Sequence, residues 1–68
     1  MRISYKKLWK LLIDRDMMTK DLAKDAGIST ASIAKLGRNE NVNTDILLRI
    51  CSALKCDISD ILEIVVDE

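Results

Sequence analysis

The sequence predicts an all-α fold: a compact bundle of five short helices. Three observations lead there. Apolar residues recur at three- and four-residue spacing along most of the chain, which is the period of a half-buried helix. Capping residues (Ser4, Gly27, Ser29 and the pair Asn43-Thr44) cut that pattern into short segments. Hydrophobic residues make up 49% of the 68 residues, enough for a core and too many for a disordered chain. The length allows one domain, residues 1–68. A chain this short buries only about 60% of its unfolded surface, so its stability is modest or is helped by dimerisation.

The first helix falls in segment 4–15, where Tyr5, Leu8, Trp9, Leu11 and Leu12 form one apolar stripe. Lys6, Lys7 and Lys10 take the solvated side, and Ser4 offers an oxygen to an orphan amide at the start. Trp9 is a packing anchor of this helix, as large aromatics usually are. Met17 and Met18 bring the chain back to the core, as gap-filling and linking residues. Helix 2 spans about 19–26, with Leu22, Ala23 and Ala26 on its inner face. Gly27 follows as a C-terminal cap, because a left-handed backbone costs glycine nothing. Ser29 caps helix 3, about 30–36, which buries Ile33 and Leu36. The polar run 37–43 is a loop. Asn43 or Thr44 then caps helix 4, about 45–55, whose core stripe is Ile46, Leu47, Ile50, Cys51 and Leu54. Ile58, Ile61 and Leu62 suggest a fifth short helix starting near Asp57 or Ser59. The β-favouring ends Arg2-Ile3-Ser4 and Ile64-Val65-Val66 also allow a small strand pair, between the termini or across a dimer.

Composition excludes several chemistries. There is no His, so the usual near-neutral acid–base group is missing. Two cysteines, Cys51 and Cys56, cannot make a four-ligand zinc site without other soft ligands. They are expected as reduced thiols, at least one of them packing in the core. No phosphate-cradling glycine loop, signal peptide or apolar run of transmembrane length is visible. The expectation is a cytoplasmic protein that is not an enzyme, with no cofactor, metal or small-molecule ligand.

Charge is balanced overall, with eleven basic and eleven acidic side chains. That balance argues against a generic polycation. The total hides a split. Residues 1–38 carry nine basic and four acidic groups, and residues 39–68 carry two basic and seven acidic ones. The halves are thus +5 and −5, which points to an anionic partner for the first. The acidic end Asp67-Glu68 is expected to be simply solvated.

Two short helices joined by a tight glycine turn are the helix-turn-helix signature. Ala23 is small where the helices cross. Gly27 accepts the turn's backbone angles, Ile28 and Ile33 fix the crossing, and Ser29 caps the second helix. The segment LAKDAGISTASIAKL resembles the Cro/repressor-type (XRE-like) helix-turn-helix family of transcriptional regulators. The resemblance runs from about residue 5 to 63, including ICSALKCDISDIL at 50–62. It implies a lambda-repressor-like DNA-binding domain with a recognition helix at about 30–36.

The family's pattern, carried over position by position, implies base contacts from Thr30, Ala31, Ser32, Ala34 and Lys35. Lys35 suits guanine O6/N7, Thr30 a base or phosphate, and Ala31 a thymine methyl. Phosphate contacts are implied for Thr19, Arg38, Asn39, Asn41 and Asn43, with the planar fork of Arg38 well matched to phosphate. The chain departs from the family at Met18, where Thr or Ser is common. It departs again at Leu12 and Gly37, where an Arg–Glu pair is common; both partners are absent together, so neither charge is left alone. With Ala31 and Ala34 in place of long polar side chains, shape readout contributes beside direct readout.

The function implied is a sequence-specific transcriptional regulator, a repressor, binding double-stranded DNA at a two-fold operator as a homodimer. Pairing sets two recognition helices about 34 Å apart on one face of the duplex. The alternative is an antitoxin or anti-regulator that uses the same fold to hold a protein. A toxin-sized neighbouring gene would favour it.

Overall fold

The computed structural model describes residues 1–66. In chain order it contains β1 (Arg2–Ser4), α1 (Lys6–Asp14), α2 (Thr19–Ala26), α3 (Thr30–Gly37) and α4 (Thr44–Leu54). A single 3-10 turn (Ile58–Asp60) and β2 (Glu63–Val65) complete it. Asp67 and Glu68, expected to be solvated, lie outside the described residues.

The apolar stripes are buried as their spacing requires. Tyr5, Leu8 and Leu12 go inside from the first segment, while Trp9 and Leu11 are half-buried against them. Leu22 and Ala26 meet Leu36 of α3 and the buried face of α4, Leu47, Ile50 and Leu54. Each fully buried leucine or isoleucine contributes roughly 1.5–3 kcal/mol relative to an exposed one. Met17 packs on this core, but Met18 is 61% exposed, so only the first of the two methionines returns the chain to the interior.

α1 begins two residues later than the segment 4–15 suggests. Tyr5 is its N-cap, and Ser4 still supplies an acceptor, its Oγ taking the Lys6 amide at 3.3 Å. α4 starts under Asn43, whose Oδ1 accepts from the Ile46 amide at 3.0 Å. It ends in a left-handed residue, Lys55 (φ 52°). The Cys56 amide then donates to the Cys51 carbonyl at 3.1 Å, a Schellman closure. The two thiols occupy the positions where such a closure usually places its apolar pair. Both are free and half-buried against the core. Burial, and secondarily the neighbouring Cys56, holds the Cys51 thiol above its ordinary pKa.

The last helix is shorter than its apolar spacing predicts. The fifth helix is one 3-10 turn, and Ile61 and Leu62 lie beyond it. Asp57 and Asp60 close that turn from both ends. Asp57 Oδ1 accepts from the Ile58 amide at 2.7 Å, and Asp60 Oδ2 from the Asp57 amide at 2.9 Å. β2 begins at Glu63, which leaves no length for a second turn. Ile61 is fully buried as expected, whereas Ile58 is 44% exposed. The strand pair forms within the chain: β1 and β2 run antiparallel, with Arg2 opposite Val65, Ile3 opposite Ile64 and Ser4 opposite Glu63. The bundle is therefore four α-helices, one 3-10 turn and a two-stranded sheet that ties the ends together.

Candidate nucleic-acid interface

The turn between α2 and α3 is built from local chemistry. Gly27 adopts φ 66°, in the left-handed region. The Ile28 amide then reaches the Ala23 carbonyl at 3.0 Å, and Ile28 is buried beneath the turn. Arg49 of α4 braces it from outside. Its Nη1 donates to the Gly27 carbonyl at 3.1 Å, while its Nε is held by Asp45 at 2.8 Å. Ser29 caps α3, its Oγ accepting from the Ser32 amide at 3.2 Å.

These caps fix which face of α3 looks outward. Thr30, Ala31, Ala34 and Lys35 are exposed, at the spacing that puts residues on one helix face. Ile33 and Leu36 point the other way, into the core. Ser32 differs from the other residues assigned to base reading. It is half-buried, and its hydroxyl lies 3.2 Å from Ser29 Oγ. Its amide and hydroxyl both belong to the cap.

The residues assigned to phosphate contacts are all exposed, in three settings. Thr19 opens α2, at the end where helix amides face outward. The N-cap there is Met18; the side chain of Asp21 closes back onto the Met18 amide at 2.9 Å. Arg38 caps the end of α3 and forms an ion pair with Glu40. That pairing holds the Glu40 carboxyl below its ordinary pKa. Asn39 is left-handed (φ 56°) and its Oδ1 accepts from the Tyr5 amide at 3.0 Å. Asn43 has its oxygen committed to the α4 cap. Each amide oxygen is thus structural, which leaves the Nδ2 donors to face a ligand.

Lys35, Asn39 and Asn41 line one groove of about 540 Å³ together with Glu40, Met1 and the strand residues Arg2 and Ile3. Thr19, Arg38 and Asn43 are not part of it. Arg2 stands outside the motif and reaches the groove only through the fold. Among the described residues, no three His, Cys, Asp or Glu side chains converge as a metal site needs, and no helix is long and apolar enough to cross a membrane.

The sequence profile of the Cro/C1-type HTH DNA-binding domain matches residues 7–67. The chain belongs to this family. The crystal structure of the transcriptional regulator VanUg, form II, is similar to this Cro/C1-type domain. Its TM-score is 0.87 at 56% identity, over 91% of this chain and 83% of that one. No curated protein matches the chain. α2, the Gly27 turn and α3 are the helix-turn-helix of this Cro/C1-type domain. The departures are also accounted for. In this Cro/C1-type domain Leu12 is a core residue, 3% exposed, and Gly37 ends α3 with nothing within 4 Å of the position a Cβ would take. An apolar contact with the core at Leu12 stands where many relatives place a charge.

Proposed function

We propose that this domain is a sequence-specific transcriptional regulator, a cytoplasmic repressor that binds a two-fold operator as a homodimer. The observation that carries the reading is the outward face of α3. Thr30, Ala31, Ala34 and Lys35 are exposed side by side, on a helix held rigidly by the Ser29 cap and the Gly27 turn. In the proposed complex these residues meet base edges, with Ser32 beside them. Thr19, Arg38, Asn39, Asn41 and Asn43 hold phosphates and set the register. The likeness to a transcriptional regulator supports a regulatory role.

An apolar groove on the α4 side, with Leu48 68% and Ile58 44% exposed beside Leu47 and Cys51, supports pairing of two copies. The chemistry required is recognition, not bond-making.

Selection of bound duplexes from a random pool tests the reading. The expected product is a sequence with two-fold symmetry and half-sites about one helical turn apart. On that sequence Lys35→Ala should lose discrimination between bases. Arg38→Ala should weaken every duplex and flatten the salt dependence. Failure to enrich any sequence, with both variants behaving as wild type, overturns it and leaves a protein-binding antitoxin or anti-regulator as the alternative.

A further inference from the structure

A second groove contains none of the residues assigned to DNA. It measures about 500 Å³ and lies between α1, the end of α4 and the 3-10 turn. Lys7, Lys10, Arg15 and Lys55 line it, with Asp14 and Asp60 as its carboxylates, a net charge of +2. The ion pairs Arg38–Glu40 and Arg49–Asp45 are elsewhere. Two of the four cations are held in place without being neutralised. The Lys7 ammonium donates to the Ser59 carbonyl at 3.2 Å, and the Arg15 guanidinium donates to the Leu54 carbonyl. Asp60 is engaged in the cap of the 3-10 turn, where it accepts from the Asp57 amide at 2.9 Å. Lys55 has φ 52° and ψ 53°, at a cap position that favours glycine. A lysine kept in the left-handed region brings an exposed ammonium to this groove against its backbone preference.

The spacing of the charges selects the ligand. Lys7 and Lys10 are one turn apart on α1, about 5–6 Å between Cβ atoms. The row from Lys7 to Arg15 runs about 12 Å along the helix, more than one phosphate can span. In an extended peptide, alternate side chains share a face about 6.5 Å apart. Carboxylates at every second residue would therefore meet successive cations, with half-buried Leu11 as an apolar contact between them. Asp14 and Asp60 favour a peptide over nucleic acid. A carboxylate accepts from a peptide amide, whereas it repels a phosphodiester, which has no donor. We propose that this groove docks an extended acidic segment of a protein partner. The proposal goes beyond the DNA-binding reading and does not depend on it.

The test is fluorescence anisotropy of the full chain, at low salt, with a labelled peptide of alternating glutamate and alanine. The same peptide with glutamine for glutamate is the control. Wild type should bind the glutamate peptide and ignore the glutamine one. Lys10→Gln together with Lys55→Gln should weaken the complex by about tenfold, the effect of two exposed charge pairs. Lys6→Gln together with Lys24→Gln removes the same charge outside the groove and should leave the affinity near wild type. No preference for the glutamate peptide, or an equal loss in the two double variants, overturns the proposal, since the attraction then does not come from this groove. Displacement of the peptide by inorganic phosphate at the peptide's own concentration and constant ionic strength also overturns it, because a single anion then suffices. So does an equal loss of affinity for peptide and for a random-sequence duplex in the Lys10 and Lys55 double variant, which would assign the groove to nucleic acid. Peptide binding is read without DNA, so failure of the DNA-binding reading leaves this result unaffected.

Discussion

The Tyr5 hydroxyl donates to the carbonyl of Glu40 at 2.8 Å, joining the residue that caps α1 to the loop that leaves α3. The ring is 1% exposed, so the bond is made in a largely dry setting. Tyr5→Phe keeps the ring and removes the donor. It should cost about 1–2 kcal/mol in urea unfolding, the usual effect of stranding one partly buried partner. Burial also holds the Tyr5 phenol above its ordinary 10.0, with a smaller opposing effect from the Val42 backbone. The fold therefore favours the protonated phenol. That contribution is complete below about pH 10 and is lost as pH rises through the raised value. Wild type should lose stability in this alkaline range, and Tyr5→Phe should not show that component.

The turn of the motif makes a second prediction. A Cβ on Gly27 would meet Arg49 Nη1 at 3.6 Å, an ordinary contact, so space is not the obstacle. The positive φ is. Gly27→Ala should cost about 1–2 kcal/mol from the left-handed conformation alone. Ser29→Ala should cost about 1 kcal/mol through the lost cap. Both should appear as lower urea midpoints with unchanged slopes.

These local devices explain how much of the fold was legible in the sequence. Gly27, Ser29 and Asn43 act on residues within a turn of themselves, so residue type and spacing suffice to locate α2, α3 and the start of α4. The last helix was misjudged because Asp57 and Asp60 close a single turn and β2 begins three residues later. Strand signals at the two ends were visible, but their pairing joins residues about sixty positions apart and has no local signature. The same holds at the interface. Asn39 was assigned from the motif alone, while its bond to Tyr5, 34 residues away, exists only in the fold.

Glu40 restrains Arg38, one of the residues proposed to hold a phosphate. Its carboxylate pairs with Arg38, and that pairing competes with any phosphate Arg38 would hold. Glu40→Gln should release the guanidinium. Affinity for any duplex should rise, because the ion pair no longer competes with the phosphate that Arg38 holds. Fluorescence anisotropy across a salt series checks this. Equal affinities for wild type and variant would mean that the ion pair does not compete with a phosphate at Arg38.

The C-terminus of α4 offers a stabilising change. Among the described residues, three other than glycine have positive φ: Asp16, Asn39 and Lys55. Asp and Asn tolerate that region through their short polar side chains; Lys has no such compensation. Lys55 is held there by the Schellman closure, in which the Cys56 amide reaches the Cys51 carbonyl. Its side chain is exposed, so little packing is lost on removal. Lys55→Gly should therefore stabilise the domain by about 1 kcal/mol, because glycine is the residue this cap position favours. Lys55→Ala separates the causes. It removes the side chain but keeps the Cβ, and should leave stability close to wild type. Urea unfolding of the three proteins decides the matter: a gain confined to glycine assigns the cost to the backbone, and a gain shared by alanine assigns it to the lysine side chain.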